Sequence, residues 1–503
     1  MSHSHRNSTY ETYRDLPPLA GVCSMEEAQR PGLGVDECVA RLKRFHYALR
    51  RLHQIFNARL TAEPIYELKT ALSLHAHLCA EHMAAVGGRV AEMREPPLGL
   101  DAVPHPGLAL YFDEILAAPD TATLVLGLYD QALPALIQAL NTYQAESHPL
   151  CDAPSRRLLR FALLELEDMA RFGGCAVDAL VDENCRSQRS NWIALLAAAL
   201  NCAGGLDGAI DTNPKRERGG TTADATLPHP LPEKEVRVAL PPPMFSATPF
   251  QFDLVPRRDE RFVDPYNAGV NPEAFLYDER FSARDKTLMM FYKRLREIDV
   301  PEMMASIIHE TAGKPWEYYR EMTRQLWDEA RHAMMGEVGF AALGIDWRRI
   351  PINFTWSLNL NTQLTPVERH AVLYFIEQGL MPRTGKRFEY EVGSESGDPL
   401  AQLFQDFDWA DEVLHAQIGR RWYVEDFRNS QQAKDFGDQC WSRVVSHWRR
   451  YLDEGLTEHR NWWPELYAEA CRRWGVEPDP QALAYHETYE DQRADLKSIS
   501  ASG

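Results

Sequence analysis

Two nine-residue segments of this chain share one pattern, Asp-Glu-x-x-His-Ala-x-x-Gly: Asp328, Glu329, His332, Ala333 and Gly336, then Asp411, Glu412, His415, Ala416 and Gly419. A single Glu-x-x-His carries little weight, since roughly one is expected by chance at these residue frequencies. Two copies sharing five positions constrain the chain much more. In an α-helix a Glu and a His three residues apart lie on one face, so both can reach the same point, while the small residues beyond them let a second helix come close.

Helix punctuation frames both segments. Ser282 with Asp285 three residues on resembles a capping box and starts a helix, and Gly313 and Pro315 close it and open the next. Gly344 ends the second helix. Thr365, Pro366 and Glu368 open a third, and Asp398 with Pro399 opens a fourth. Between the second and third lies RRIPINFTWSLNLN, long enough to run along a bundle instead of turning tightly. The spacing therefore predicts a four-helix bundle over residues 281–430 within an all-α chain.

Such a bundle needs one further glutamate from each helix without the motif. Both strands of an antiparallel helix pair rise about 1.5 Å per residue, so residues equidistant from the turn sit at one height. Counting from Gly313 places Glu297 level with Glu329; Glu310 lies about 20 Å away by the same rise and is excluded. Counting from Glu395 places Glu377 level with Glu412. Met290, Met304 and Ile308 accompany Glu297, and Leu373, Tyr374, Leu380 and Met381 accompany Glu377. A lone carboxylate on so apolar a face is costly unless a cation meets it. Pro301 leaves the Glu297 carbonyl without its helical donor, which predicts a kink beside that residue.

The rest of the chain divides by composition. Residues 1–35 read as an N-terminal extension, 36–190 as a helical bundle turning at Pro64, 191–280 as a linker with a low-complexity insertion, and 431–503 as a C-terminal helical extension. In the N-terminal bundle His46 lies level with His82 and His53 with His75, with Glu81 adjoining. Glu165, Glu167 and Asp168 have no counterpart near Leu133, so this bundle lacks a complete metal set. A net charge of -19 disfavours nucleic acid and polyanionic substrates. No apolar run approaches the roughly 20 residues of a membrane span, so no membrane partner is expected. Met1 to Ala20 is polar and unlike a secretory signal, and the nine cysteines form no CxxC pair. Both features fit a cytoplasmic location.

Through DEARH and DEVLH, the C-terminal two-fifths resembles the ferritin-like di-iron carboxylate superfamily, and DEVLHAQIGRRW is more loosely similar to uncharacterised bacterial ferritin-like proteins near tRNA-modifying hydroxylases. The resemblance implies that Glu297, Glu329, His332, Glu377, Glu412 and His415 hold two iron ions, with manganese or a mixed pair as the alternative. It further implies that Asp328 hydrogen-bonds His415 and Asp411 hydrogen-bonds His332, fixing each ring. Arg331 matches the Arg often found in the first motif, whereas Leu414 departs from it in the second. Asp408, one turn before Glu412, and His370, two turns before Glu377, are further candidates close to the ligands. The implied activity is oxidation of a small organic substrate by O2, by hydroxylation, N-oxygenation or desaturation, with an external electron donor. A dimanganese catalase-like enzyme and a non-catalytic, iron-handling protein are the alternatives; a homodimer is compatible with the enzymatic readings, whereas iron storage would need assembly into a shell.

Overall fold

The computed structural model describes residues 10–210, 239–382, 385–444 and 448–488, and all regular elements among them are helices. The chain divides into two compact units, Met1–Ile55 with Leu78–Gln251, and Phe56–His77 with Phe252–Gly503. Two long helices, α1 (Val35–Leu60) and α2 (Tyr66–Met93), flank the turn predicted at Pro64, and their turn-side ends group with the second unit.

The first unit continues with α3 (Pro106–Leu116), α4 (Thr121–Glu146), α5 (Ala153–Leu180) and α6 (Ser190–Cys202). Along α5, Leu159, Ala162, Leu166, Met169, Gly173 and Val177 are buried at spacings of three and four, one stripe of an amphipathic helix. Pro134 cannot donate to the Asp130 carbonyl, and α4 opens into a π turn over Leu126–Ala132. This helix also corrects the expectation of no membrane-length segment. It is long and apolar enough to cross a membrane, although its most apolar stretch is mostly buried inside the protein, as in a core helix.

The linker reading over 191–280 needs correction at its start, because α6 occupies it and buries Trp192, Leu195, Leu196 and Ala199. The glycine run that suggested a linker begins only at Gly204. Farther along, the buried Glu114 carboxylate accepts hydrogen bonds from the backbone N–H groups of Met244, Phe245 and Ser246, from the Ser246 hydroxyl and from the Trp192 indole. Burial alone would raise its pKa, but the donors from Ser246, Phe245 and Met244 outweigh burial and lower it. The insertion predicted within the linker lies largely at 211–238, outside the described residues. His82 pairs with Glu165 at 2.6 Å, giving that acid the partner the sequence did not supply.

The second unit contains α7 (Ala283–Arg296), α8 (Asp299–Glu310), α9 (Trp316–Ala342), α10 (Thr355–Gln363), α11 (Pro366–Gly379), α12 (Lys386–Ser396), α13 (Pro399–Trp422), α14 (Ser430–Val444) and α15 (Trp463–Trp474). Helix α9 packs on α7, α8 and α13; α11 packs on α8, α13 and α14; α12 packs on α7 and α13. The predicted caps are present, the one at Ser282 through its hydroxyl alone, without the return bond from Asp285. Thr365 and Glu368 cap each other reciprocally, Ser282 accepts from the Asp285 N–H, Asp398 accepts from two N–H groups, and Gly313 adopts φ 79°.

Three elements differ from expectation. The first predicted helix is two, α7 and α8, divided at Glu297 and Ile298, where the Glu297 carbonyl accepts from the Val300 N–H at 3.0 Å in a tighter turn. Pro301 supplies the reason, having no N–H to offer that carbonyl. The third is also two, α11 and α12, divided just beyond Glu377. The long connection contains α10. On α8, buried Glu302 receives Lys69, Arg258 and the Ser357 hydroxyl, a polar rivet through this unit.

Candidate metal centre

Helix α9 buries Tyr318, Met322, Leu326, Glu329, His332 or Ala333, Gly336 and Phe340 along one stripe, so its two motif side chains occupy core positions. Gly336 brings α7 unusually near: a Cβ there would stand 2.2 Å from the Leu295 nitrogen and 2.5 Å from the Phe291 oxygen. Two residues beyond Leu295 comes Glu297. Helix α13 buries Asp408, Glu412 and His415 on one face, and Glu377 projects from the last turn of α11.

These side chains meet. Glu329, Glu377, Glu412 and His415 form one group that could hold a metal ion, Glu297, Glu329 and His332 form a second, and His332, Asp408 and Glu412 a third. Glu329 is shared by the first two. The imidazole rings lie 6.0 Å apart. His332 Nδ1 is 3.4 Å from Glu297, 3.5 Å from Glu329 and 3.5 Å from Asp408. His415 Nδ1 is 3.2 Å from Glu329, 3.5 Å from Glu412 and 3.9 Å from Glu377.

The opposite ring nitrogens are held by aspartates from the partner motif. His332 Nε2 lies 3.1 Å from Asp411 and His415 Nε2 lies 3.4 Å from Asp328. A proton on Nε2 directed at each aspartate leaves Nδ1 facing the carboxylates, where it would present a lone pair to a cation once its own proton is lost. Arg331 bridges both aspartates, at 2.5 Å from Asp328 and 2.8 Å from Asp411, while Arg324 adds a further grip on Asp328. One arginine serves both motifs, which is why Leu414 can stand where a second would be.

No family model, curated protein or solved structure matches this chain. The chemistry of the cluster itself is therefore what bears on its role. Nδ1 of both histidines, Oε2 of Glu297 and Oε2 of Glu412 are buried without a hydrogen-bond partner. Orphaned buried polar atoms are rare, and here they converge on the same space, the arrangement a cation with open coordination positions would satisfy. All donors are carboxylate oxygen or imidazole nitrogen, and no thiol belongs to these groups.

Sequence reasoning missed a set of buried ions around the centre. Lys386 Nζ lies 2.8 Å from Asp408 and 2.9 Å from Glu412, and Arg294 pairs with Asp408 and, at 2.7 Å, with Glu297. Lys293 pairs with Glu389. Arg294 was findable, since it stands three residues before Glu297 on the same helix face. Asp408 thus joins the centre, held by two cations. His370 does not: its ring lies among Tyr318 and Tyr423, and burial depresses its pKa to about 4. Two turns along a helix carry it about 10 Å from the level of Glu377. Two cavities of about 460 and 430 Å³ in this unit, lined around Trp347 and around Tyr451, include none of the six ligand candidates.

Negative charge is in excess. Among the described residues, Glu297, Glu329, Glu377, Glu412, Asp408 and Glu389 are met by Arg294, Lys293 and Lys386 and by the imidazoles of His332 and His415. Burial and the neighbouring Glu412 and Glu329 raise the pKa of Glu377. For His332 burial is outweighed by Asp411, Glu297 and Glu329, and its pKa is pushed up to about 10; His415 rises for the same reason, through Asp328, Glu329 and Glu412. Protons thus stand in for missing positive charge. Binding a divalent metal at neutral pH is expected to expel them, so affinity rises with pH until they are gone and falls in acid. Calorimetric titration in buffers of differing ionisation enthalpy measures this; a metal-binding heat independent of buffer would contradict it.

Proposed function

We propose that the second unit is a ferritin-like di-iron carboxylate centre that uses O2 to oxidise a small organic substrate. The observation carrying this reading is the pair of orphaned Nδ1 atoms, each aimed at a shared set of glutamates while its Nε2 is fixed by an aspartate from the other motif. Glu297, Glu329 and His332 would hold one ion and Glu329, Glu377, Glu412 and His415 the other, with Glu329 between them. This mixed oxygen and nitrogen donor set suits iron or manganese. Bound in the ferrous state, the pair supplies two electrons for O2 reduction, and an external donor restores them.

The chain's own part is to hold that pair dry and oriented. Asp328 and Asp411 fix the imidazole tautomers, and Arg331 couples the two aspartates so that both rings keep their angle together. Gln325 donates to Glu377 at 3.0 Å and sets that carboxylate's rotamer. Glu329, Glu377, Glu412, His332 and His415 are all buried, which excludes bulk water from the reacting space. The breaks at Glu297 and after Glu377 place both single glutamates at helix ends, where they can adjust without unwinding a helix.

The test is a single turnover. Anaerobic protein loaded with ferrous iron and mixed with O2 is expected to consume it in proportion to the iron pairs present. Protein that binds two irons and leaves O2 untouched contradicts the oxidase reading and favours iron handling.

A further inference from the structure

Five aromatic side chains stand in series between the protein surface and the His415 side of the centre. Trp422, half-buried at the end of α13, has its ring 5.7 Å from that of Tyr318. Tyr318 lies 6.2 Å from His370, His370 5.4 Å from Tyr423, and Tyr423 5.4 Å from Tyr374, with these four all buried. Tyr374 precedes Glu377 by three residues on one helix face. Its ring lies over Gly419, where a Cβ would stand 2.5 Å from Cδ2, and Gly419 follows His415 by one turn. Gly336, in the matching place of the first motif, meets the backbone of α7 instead. Leucine would fill such a volume as well, whereas tyrosine and tryptophan are the side chains that release a single electron most readily. At the outer end Trp422 Nε1 donates to Glu321 Oε2 at 2.6 Å, and the Arg421 guanidinium lies 4.4 Å over the indole.

Resting on the metal-centre reading above, we propose that this series carries single electrons from a reductant at the surface beside Trp422 inward to the oxidised metal centre. In each event Trp422 gives up one electron and its Nε1 proton passes to the Glu321 carboxylate. The guanidinium over the indole disfavours positive charge on the ring, so proton and electron leave together. Tyr318, Tyr423 and Tyr374 relay the electron and end unchanged, in a core that keeps water from them. A one-electron reductant such as ascorbate then restores Trp422, and the proton returns from Glu321.

The test uses the full chain loaded with ferrous iron, mixed with O2 without substrate or reductant, and frozen for electron paramagnetic resonance. A parallel sample carries a nitrone spin trap whose adduct is located by peptide mass spectrometry. Wild type is expected to show a neutral tryptophanyl radical, a trap adduct on Trp422, and loss of both when ascorbate is added. Trp422→Phe should replace the tryptophanyl signal with a tyrosyl one. Tyr374→Leu should lose the radical on Trp422 while its iron content stays that of wild type. An adduct on Trp422 that survives Tyr374→Leu, or a tryptophanyl signal that survives Trp422→Phe, overturns the route; the second decides alone should Tyr374→Leu not fold. Wild type that binds iron and consumes O2 without forming the radical overturns the route and leaves the oxidase reading standing. Wild type that binds no iron or consumes no O2 overturns both.

Discussion

Glu329→Ala is expected to abolish binding of both metal ions, whereas Glu297→Ala and Glu377→Ala each lose one. Of the two groups proposed to hold the ions, Glu329 alone belongs to both: Glu297 shares one with His332, and Glu377 shares the other with His415. The effect on stability separates a metal role from a packing role. At a free metal concentration 1,000 times Kd, binding stabilises the folded state by about 4 kcal/mol. For a domain of a few hundred residues that is a rise of about 8–16 °C in Tm. Without metal, Glu329→Ala removes one of several crowded carboxylates and opens a small cavity, effects of opposite sign, so the metal-free Tm should move little. The variant should then show no metal-induced rise. Thermal melting of wild type and variant, with and without ferrous iron, checks both parts. A Glu329→Ala protein that still gains 8 °C or more with iron would contradict the bridging role.

Gly336→Ala is the second large effect, and its sign comes from weighing two terms. Alanine is favoured over glycine in a helix interior by about 1 kcal/mol. Against this, the new Cβ would stand 2.2 Å from the Leu295 nitrogen and 2.5 Å from the Phe291 oxygen, and backbone atoms cannot rotate away. Overpacking of this kind costs about 1–3 kcal/mol and more when a helix must shift. The clash wins, and α7 moves off α9. Because Glu297 follows Leu295 by two residues, its 3.4 Å approach to His332 should open as well. The expected result is a net loss of about 2 kcal/mol with loss of metal from the His332 position. Gly174→Ala is the control, since nothing lies within 4 Å of a Cβ there and a small gain is expected. Urea unfolding of both variants measures the contrast; equal effects would contradict it.

Much of this centre was legible because its elements obey helix geometry. The doubled motif put Glu329, His332, Glu412 and His415 on helix faces, and the equal rise of paired helices found Glu297 and Glu377 at the right height. The kink at Glu297 followed from the missing N–H of Pro301, and the close approach at Gly336 from its lack of a side chain. What stayed hidden depended on neighbours distant in sequence. A lysine or arginine reads as solvated unless something shows what faces it, and Lys386 is buried only because Asp408 and Glu412 come from another helix. The second break, after Glu377, was legible too, for Pro382 stands between Gly379 and Lys386, yet the predicted third helix runs straight through it. Helix α6 falls inside the predicted linker because glycines begin just beyond it at Gly204, although its own apolar spacing is that of a helix.

Anomalous diffraction from crystals grown anaerobically with ferrous iron tests the central claim most directly. Two peaks per chain are expected, one bounded by Glu297, Glu329 and His332 and the other by Glu329, Glu377, Glu412 and His415, with both histidines presenting Nδ1. A map without iron in this cluster, its acids paired instead with Lys386, Arg294 and protonated imidazoles, would contradict the account.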